Sequence, residues 1–528
     1  MILASEHSLV AASLALGAPR IKGWSQAELR LIAEARSLPR SEATALRREI
    51  CAGEDPLGES FCLLRSPAKR RKQGATYTPY PIVRAMVAWA RRDEPKRVVD
   101  AGVGSGRFLT EAAQAFPKAQ LIGFEVDPLA AILARANLAA LGLQKRSRIV
   151  LCDYRRARLD NIVGKTLFIG NPPYVRHHDV SPHWKQWLTT EARKRHLPVS
   201  QLSGLHVHFF LATQILAKTG DYGAFVTSAE WLDVNYGSLV RGLLLNGLGG
   251  TSITLLDPRV HAFPDAATTA VITTFVVGGH PKSIQVRKVH SLTDLTKLSN
   301  GRSIRRDQLE RERRWSHLTM TPRRLSAGFV ELGELCRVHR GQVTGSNRVW
   351  IAGDHSGDLP TEVLYPAVTR ARELFDAGIA LQSTAGLRSV IDLPSDLSVY
   401  DAQTRRALER FLSFAKALGA DATYIARHRR PWWSVSLHPP APILATYMAR
   451  RPPAFVRNLA GVRHLNIAHG IYPRERLPKV VLRRLTDYLS RAVTTSEGRT
   501  YAGGLTKFEP REMERIPVPG PELLLAES

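Results

Sequence analysis

The sequence predicts an α/β protein in which a parallel sheet carries helices on both faces. Between residues 96 and 279, apolar strand-like runs alternate with helical stretches, an order that is typical of parallel sheets. A chain of 528 residues with 44% hydrophobic composition is also long enough for about two to four domains, each with its own core. Because the alternation stops after residue 279, a separate C-terminal domain is expected.

Residues 1 to 66 are predicted to form an N-terminal helical extension. Within it, residues 24 to 53 favour two short helices. Ser25 and Ser41 are the expected N-caps, because each stands before a first turn that contains glutamate.

Residues 67 to 290 are predicted to form the α/β domain. A basic run (KRRK) leads into it, and Pro81 suits the first turn of its opening helix. Strands are expected at RVVDAG, AQLIGFEVD, SRIVLCD, TLFIGN, YGAFVTS, ITLLD and AVITTFVVG. Helices are expected at RFLTEAAQAF, PLAAILARANLAALG and HVHFFLATQILAKTG. The short connection between the last two strands predicts an antiparallel pair that closes the sheet.

Residues 291 to 324 are predicted to be a charged linker, since residues 299 to 324 are dense in arginine and glutamate. Beyond the linker, residues 325 to 528 mix glycine, proline, arginine and aromatic residues without the α/β alternation. This last region is predicted to be a separate domain of mixed α/β structure.

The charge of the chain points to a polyanionic partner. Lys and Arg number 74 against 47 Asp and Glu, which leaves a formal net charge of +27. An excess of this size attracts polyanions and speeds their encounter with the protein. Nucleic acid is the favoured partner, and a solvated arginine surface without a partner is the alternative.

The four cysteines are scattered, with neither a CxxC pair nor a regular spacing, so neither disulfides nor a metal site are expected. The first residues include Glu6 and His7, and no Lys or Arg stands where a signal peptide carries its positive charge. No segment approaches about 18 consecutive apolar residues, the length of a membrane span. A soluble, cytoplasmic protein without membrane contact is therefore expected.

A glycine-rich loop stands between the first predicted strand and helix, in the sequence DAGVGSGRFL. It begins at Asp100 and contains Gly102, Gly104 and Gly106. Glycines let the backbone bend tightly and approach a ligand closely, and the following helix points its N-terminus at the same place. The spacing differs from the GxGxxG dinucleotide fingerprint, so a nicotinamide cofactor is not favoured.

Acidic residues follow the next two predicted strands. Glu125 ends the second strand, where a carboxylate can accept hydrogen bonds from both hydroxyls of a ribose. Asp153 closes the third strand and is placed to accept from the amino group of an adenine. Such strand ends face the ligand crevice of an open parallel sheet.

The fourth predicted strand ends abruptly in LFIGNPPYVRHH, residues 167 to 178. Two consecutive prolines remove two backbone donors and hold the preceding Asn171 in an extended conformation. This stiffness suits either a sharp turn or a chemical site, and the stretch by itself does not decide between them.

Taken in order, these motifs resemble the class I S-adenosylmethionine-dependent methyltransferases, and among them the DNA adenine-N6 methyltransferases. In that resemblance DAGVGSG serves the methionine end of the cofactor, Glu125 its ribose, and Asp127 and Asp153 its adenine. NPPY, residues 171 to 174, is the catalytic motif. TYTP, residues 76 to 79, precedes the glycine loop, and the recognition domain comes last, which is the arrangement of the gamma-type, TaqI-like enzymes.

The resemblance implies a Rossmann-like class I methyltransferase sheet, a target-recognition domain at the C-terminus and S-adenosylmethionine as the cofactor. No metal is implied. The residues that it assigns to cofactor binding are Thr76, Tyr77, Thr78, Asp100, Gly102, Gly104, Gly106, Glu125, Asp127, Asp153 and Asn171.

The resemblance also implies how the reaction proceeds. The adenine must flip out of the duplex, and the Asn171 side-chain oxygen and the Pro172 carbonyl then accept its two amino hydrogens. The lone pair of the nitrogen is thereby directed at the methyl group. Tyr174 and Phe263 are expected to stack on the base, which is worth about 1 to 3 kcal/mol. The match for Phe263 lies in VHAFPDAATTAVITTF, and a core position is the alternative.

Two residues near the glycine loop depart from a clear assignment. Val103 stands where the family often has a small or polar residue, and Phe108 suits either core packing or cofactor contact.

Methylation of an RNA base and methylation of a protein glutamine are the alternative activities. A cysteine nucleophile for cytosine is excluded, because none of the cysteines follows a proline.

In the C-terminal region, HRGQVTGSNRVW, RPWWSV and GLTKFEPREMERIPVP resemble the TaqI-type recognition domain. The sequence has no PD and ExK nuclease motif, so a separate cognate restriction endonuclease is expected. The methyltransferase itself is expected to act as a monomer on double-stranded DNA. Trp432 and Trp433 are expected either to stack at DNA or to pack in the core. Polar candidates for contact with DNA are His339, Arg340, Asn347, Arg348, Arg429, Arg430, Arg457, Asn458 and Asn466.

Overall fold

The computed structural model divides into two compact units, Met1–Pro322 and Arg323–Ser528. It describes all residues except 1–2, 34, 36–37, 66–76, 258–259, 261–262, 264–268, 320–324, 502–504 and 527–528, and the side chains of 496 and 499–501. Across the described ranges, every helix is too short or too polar to cross a membrane.

The N-terminal extension consists of four helices, α1 (Glu6–Leu16), α2 (Gln26–Ala33), α3 (Arg40–Cys51) and α4 (Pro56–Leu64). The predicted cap at Ser25 is confirmed, because the Ser25 hydroxyl and backbone N–H both donate to the Glu28 carboxylate at 2.8 Å. The predicted cap at Ser41 is wrong. The helix begins one residue earlier, directly after the extended Pro39, so Ser41 lies inside the first turn.

The central sheet of the first unit has the strand order β3-β2-β1-β4-β5-β7-β6-β8-β9. Strands β1 to β5 are parallel, whereas β7 runs antiparallel to both β5 and β6. The predicted fold class is therefore confirmed, and so is the antiparallel pairing of β6 with β7. The prediction that this pair closes the sheet is wrong, because β8 and β9 extend the sheet beyond β6. The strands are β1 (Arg97–Asp100), β2 (Gln120–Glu125), β3 (Ser147–Leu151), β4 (Thr166–Gly170), β5 (Tyr222–Ser228), β6 (Gly250–Leu256), β7 (Ala270–Val276), β8 (Ser283–Val289) and β9 (Arg302–Arg305).

Helices cover both faces of this sheet. Neighbouring residues of β1 face opposite sides: Val98 belongs to one core and Val99 to the other, as strand geometry requires. The three predicted helices are present as α6, α7 and α9, and Pro81 lies in the first turn of α5 as predicted. The helices are α5 (Tyr80–Ala90), α6 (Arg107–Ala115), α7 (Pro128–Ala140), α8 (Pro182–Arg193), α9 (Leu205–Leu216), α10 (Ser238–Leu245) and α11 (Arg306–Arg311).

The segment predicted as a charged linker, residues 291 to 324, carries β9 and α11 and belongs to the first unit. Its few apolar residues are buried, among them Leu309 and Trp315. The Trp315 indole N–H donates to the Leu309 carbonyl at 3.0 Å. Its described charged residues are exposed or partly exposed, as in the ion pair between Arg305 and Asp307. Charge density therefore marks the exposed side of an ordered segment.

The N-terminal extension covers the β3 edge of the sheet and packs on α7. Lys22 forms a parallel bridge with Arg148 of β3. Arg135 of α7 is fully buried, and its Nε donates to Glu28 Oε1 at 2.7 Å. The extension and α7 therefore share one hydrophobic cluster, which includes Leu9 and Leu133.

The second unit is a mixed α/β structure, as predicted. A five-stranded sheet has the order β11-β19-β15-β17-β13, and smaller sheets have the orders β14-β12-β18, β16-β21-β20 and β10-β22. The strands are β10 (Phe329–Glu331), β11 (Cys336–Arg340), β12 (Leu364–Val368), β13 (Ala380–Leu381), β14 (Arg388–Ile391), β15 (Ile443–Thr446), β16 (Met448–Ala449), β17 (Phe455–Asn458), β18 (Arg463–His464), β19 (Ala468–Pro473), β20 (Arg499–Tyr501), β21 (Leu505–Lys507) and β22 (Pro517–Pro519). The helices are α12 (Leu332–Leu335), α13 (Asn347–Trp350), α14 (Ala371–Asp376), α15 (Ala402–Ala417), α16 (Tyr424–Arg427), α17 (Lys479–Ala492), α18 (Pro510–Glu514) and α19 (Pro521–Ala526).

Candidate active site

A cavity of about 270 Å³ lies in the first unit where the carboxyl ends of β1 to β4 meet. The sequence-predicted residues that line it are Tyr77, Thr78, Gly102, Gly104, Glu125, Asp127, Asp153 and Asn171. Among the other predicted residues that the structure describes, Asp100, Gly106, Pro172, Tyr174 and Phe263 lie outside this lining. Thr76 falls outside the described residues.

The glycine loop after β1 forms one wall of the cavity. Gly104 has a positive φ of 52°, and its N–H donates to Glu125 Oε2 at 2.9 Å. Asp100 is fully buried beneath the loop and accepts from the Gly102 N–H at 3.3 Å. Burial raises the pKa of Asp100 to about 8. Gly106 caps α6 and packs on α7, so Asp100 and Gly106 support the loop from outside the cavity.

Two carboxylates follow β2 at the cavity. Glu125 Oε1 accepts from the N–H groups of Val126 and Asp127 at 2.8 and 3.1 Å. Burial raises the pKa of Glu125, while these backbone donors act in the opposite direction. Asp127 caps α7 by accepting from the Leu129 N–H at 2.9 Å and also pairs with Arg65. Glu125 is therefore held in place by backbone groups, and Asp127 has a structural role at the cavity rim.

Asp153, after β3, is held by Arg155. The guanidinium donates to both carboxylate oxygens, Nε to Oδ1 at 2.9 Å and the second nitrogen to Oδ2 at 2.6 Å. Burial acts to raise the pKa of Asp153, but the hydrogen bonds and charge of Arg155 lower it further than burial raises it. Arg155 in turn lies 3.7 Å from the ring centre of Trp184 on α8. The carboxylate is thus kept charged and oriented at the cavity.

Asn171 follows the last residue of β4 and lies at the edge of the cavity. Its side-chain nitrogen donates to the Thr78 hydroxyl at 3.0 Å. Because the nitrogen is the donor in this contact, the side-chain oxygen is the acceptor end of the amide. Thr78 therefore sets the orientation of the Asn171 amide.

Tyr174 and Phe263 lie beside each other, although they are 89 positions apart in the chain. Their rings meet edge to face, with centres 6.3 Å apart and planes at 75°. The Tyr174 hydroxyl is buried and has no hydrogen-bond partner among the described residues. Burial raises the pKa of that hydroxyl. Phe263 is 6% exposed and packs with the main core, so the structure brings the two predicted aromatic residues together.

Several cavity residues belong to no motif that marks them as site residues in the sequence. Phe61 comes from the N-terminal extension, and Leu205 and Phe209 come from α9; each is an ordinary apolar residue in its local pattern. Phe108, for which packing and cofactor contact were both open, is 4% exposed and packs in the core, and it also lines the cavity. The remaining lining residues outside the prediction are Ala101, Val103, Ser105, Arg107, Phe124, Val126, Ala130, Cys152, Tyr154, Arg155, Pro173, Val175 and Asp179.

The second unit distributes its polar candidates between core and surface. Asn458 is 9% exposed, and its side-chain nitrogen donates to the carbonyls of Ala441 and Val462 at 2.9 and 2.8 Å. The half-buried Trp432 and Trp433 pack against a hydrophobic cluster. Asn458 and both tryptophans therefore have structural roles. His339, Asn347, Arg348 and Arg430 are exposed.

Two family models match the chain. The N-6 DNA Methylase model matches residues 55 to 232, and the model of the C-terminal domain of type II methyltransferase M.Eco57I matches residues 318 to 527. The chain is also 50% identical to type II methyltransferase M.XamI of Xanthomonas campestris pv. amaranthicola, over 100% of both chains. The chain belongs to the type II N6-adenine DNA methyltransferases.

Two further similarities agree with this family. Type II methyltransferase M.AccI of Acinetobacter calcoaceticus is 24% identical over 84% of this chain and 85% of its own. The crystal structure of the type IIG restriction endonuclease BpuSI superposes with a TM-score of 0.52 at 14% identity, covering 99% of this chain and 71% of that one, which shows a shared fold. Membership of this family does not favour the two alternative activities, methylation of an RNA base and methylation of a protein glutamine.

Proposed function

We propose that this DNA methyltransferase binds S-adenosylmethionine in the cavity at the ends of β1 to β4 and methylates an adenine flipped out of double-stranded DNA. The observation that carries the proposal is the hydrogen bond from Asn171 to Thr78 at 3.0 Å. This bond orients the Asn171 amide at the cavity edge with its nitrogen toward Thr78, and the side-chain oxygen would accept from an exocyclic amine.

The donor and acceptor groups of the cavity suit S-adenosylmethionine. Glu125 offers a carboxylate for the ribose hydroxyls, and Asp153 offers one for the adenine amino group. The buried Tyr77 hydroxyl lines the cavity and has no hydrogen-bond partner among the described residues, so a polar ligand group would satisfy it. When bound, S-adenosylmethionine supplies an electrophilic methyl group.

Three groups of residues would contribute to cofactor binding: residues that line the cavity, residues that support the glycine loop, and a helix cap. Tyr77, Thr78, Gly102 and Gly104 line the wall at the glycine loop. Asp100 and Gly106 would hold that loop from below. Asp127 would act through α7, which it caps. Thr76, outside the described residues, remains a predicted contact.

Asn171 and Pro172 would act on the substrate amine. The nitrogen lone pair of an adenine amine is delocalised into the ring, which makes the amine a poor nucleophile. Hydrogen bonds to the Asn171 side-chain oxygen and the Pro172 carbonyl would draw the nitrogen toward tetrahedral geometry and free its lone pair. This is catalysis by positioning and electrostatics, with no covalent enzyme intermediate.

Tyr174 and Phe263 would receive the flipped base. Extrusion of a base costs a few kcal/mol, and stacking on an aromatic ring returns about 1 to 3 kcal/mol. Tyr174 follows Asn171 and Pro172 closely in the chain and meets the Phe263 ring edge to face, which supports one site for stacking and for transfer.

The net charge of +27 supports binding to the DNA backbone, and the second unit is proposed as the target-recognition domain. Protection of host DNA from a separate cognate restriction endonuclease is the biological role that follows from the family. We propose that the methyltransferase acts as a monomer in the cytoplasm.

The proposal is tested with labelled S-adenosylmethionine and duplex DNA, with nucleoside analysis of the product. N6-methyladenine in DNA is expected, and label that enters only RNA or protein would refute the proposal. Asn171→Ala is expected to lower kcat at least about 100-fold while binding of S-adenosylmethionine, measured by calorimetry, persists. The exposed Asn235→Ala is the matched control. Turnover of Asn171→Ala at the wild-type rate would refute the role of Asn171.

A further inference from the structure

A buried carboxylate of the N-terminal extension lies beneath the proposed cofactor loop. Asp55 caps α4 and is 2% exposed. Its Oδ1 accepts from the Gly58 N–H and from Asn137 Nδ2, both at 2.9 Å. Its Oδ2 accepts from the Ser105 hydroxyl at 2.5 Å and from Arg107 Nε at 2.8 Å. Each oxygen therefore has two partners, and those of Oδ2 both come from the segment that follows β1.

Space around this carboxylate is closely filled. A Cβ atom at Gly58 would lie 2.1 Å from Asp55 Oδ2 and 2.7 Å from the Ser105 hydroxyl. Asn137 Nδ2 also donates to the Ser105 carbonyl at 2.9 Å, so a side chain of α7 binds a backbone group of the glycine loop. The loop conformation at Ser105, which lines the cavity, thus depends directly on Asp55.

Arg107 carries the contact onward to the predicted catalytic asparagine. Its Nη1 donates to the Thr78 carbonyl at 3.1 Å, and its guanidinium lies 5.3 Å from the ring centre of Tyr77. The hydroxyl of the same Thr78 accepts from Asn171. A continuous path of hydrogen bonds therefore runs from Asp55 through Arg107 to the Thr78 carbonyl, and from the Thr78 hydroxyl to Asn171.

We propose that Asp55 is a positioning residue for methyl transfer. Through Ser105 it holds the loop that receives the methionine end of the cofactor, and through Arg107 and Thr78 it holds the amide of Asn171. The inference rests on the proposed function of the cavity, and it assigns a role in the reaction to the N-terminal extension. A purely structural Asp55 would anchor the extension without affecting cofactor affinity or turnover.

The principal test is Asp55→Asn, which keeps the size of the side chain but removes its charge and replaces one acceptor oxygen by a donor NH2 group. The KM for S-adenosylmethionine is expected to rise and kcat to fall, each about tenfold, the effect of one lost hydrogen bond to a charged group. The dissociation constant for S-adenosylmethionine, measured by calorimetry without DNA, should rise to the same extent.

Glu28→Gln is the matched control, because Glu28 is the buried carboxylate by which α2 of the extension is bound to α7. It should lower the unfolding temperature with kcat and KM unchanged. If Asp55→Asn behaves in the same way, with wild-type kcat, KM and dissociation constant, the inference is overturned.

A double-mutant cycle tests the path itself. Thr78→Val removes the hydroxyl that accepts from Asn171, so its effect on kcat should combine with that of Asp55→Asn to less than the product of the two single effects. The effects of Thr78→Val and Glu28→Gln should multiply. Simple multiplication in both cycles would refute the route through Thr78.

Two further variants keep the test open should Asp55→Asn fail to fold. Ser105→Ala removes the contact of Asp55 with the glycine loop and should mainly raise KM. Arg107→Gln removes the contact that leads to Thr78 and should mainly lower kcat. Wild-type kinetics in both would overturn the inference. Wild-type protein that methylates no adenine in duplex DNA would refute the proposed function instead, and the calorimetric comparison would still decide the effect of Asp55 on the cofactor loop.

Discussion

Two buried arginine–carboxylate pairs join the N-terminal extension to the α/β sheet, and they differ in what lies beyond them. Arg135 and Glu28 are fully buried at the β3 edge, and the other donors of Arg135 go to backbone carbonyls, including those of Gly23 and Ile149. Arg107 and Asp55 form a similar pair at 2.8 Å, but Arg107 also reaches the segment of Thr78 at the cavity.

The comparison separates two uses of the same chemistry. A buried ion pair whose other partners lie away from the cavity fixes the position of an element, and its loss costs stability. A pair whose neighbours line a cavity also sets the geometry of that cavity, so that its loss affects binding and turnover as well. Burial and distance alone do not distinguish the two pairs, whereas the further partners of each arginine do.

The largest effect is expected from Arg135→Met. This change leaves the Glu28 carboxylate buried without its partner and frees the carbonyls that Arg135 binds, so the free energy of unfolding should fall by about 3 to 5 kcal/mol. Denaturant unfolding measures the loss, and kcat of the folded protein should stay at the wild-type value. A tenfold lower kcat would remove the distinction between the two pairs.

A smaller effect, common to both units, is expected from acid. Burial lowers the pKa of His206 to about 4 and of His208 to about 3 in the first unit. It likewise lowers the pKa of His464 and His469 to about 4 in the second. As pH falls below the unfolded value of about 6.5, the unfolded chain gains protons that the folded chain does not bind, so stability falls until the pH reaches the folded pKa.

Each unit should therefore lose about 2 to 3 kcal/mol between pH 7.5 and 5.5. Arginine keeps its charge throughout this range, so this loss does not come from the two arginines. Unfolding midpoints at the two pH values measure it, and replacement of the exposed His178 by Gln should leave the loss unchanged. Equal stability at both pH values would contradict the burial of the histidines in neutral form.

The smallest effect on free energy is expected from Thr78→Val, which removes the hydroxyl that accepts from Asn171. The loss of this neutral hydrogen bond should cost about 1 kcal/mol of transition-state stabilisation, or about a fivefold to tenfold lower kcat, with stability nearly unchanged. Thr189→Val on α8, which removes a hydroxyl bonded to its own helix at 2.9 Å, is the control. An unchanged kcat for Thr78→Val would separate Asn171 from the path that begins at Arg107.

Local patterns were sufficient for much of the first unit. The apolar runs of β1 to β7 and the glycines between β1 and α6 carry their own signals, because strand period and backbone freedom depend on neighbouring residues. The two strands that the prediction missed, β8 and β9, mix charged residues with few apolar ones near the sheet edge. Their charged side chains are partly buried or exposed, and Lys288 of β8 pairs with the buried Asp257. The same composition therefore fits an ordered strand and a linker.

The site residues also differ in how far the sequence predicted their roles. Glu125 and Asn171 follow directly from strands that can be recognised in the sequence, and both line the cavity. Asp153 was predicted as a free acceptor, but its bidentate bond with Arg155 became visible only in the structure. Asp100 was predicted as a contact and lies beneath the loop, because its side chain is turned into the buried interior.

The sequence by itself determined the α/β class, the order of the motifs and the chemistry that NPPY implies. Only the tertiary structure decided that Asp55 lies against Ser105, and that Phe61 of the same extension forms a wall of the cavity. The physical reason is distance along the chain. A local pattern specifies which face of a helix is apolar, but the packing of α4 against α7 and the glycine loop decides which polar groups meet.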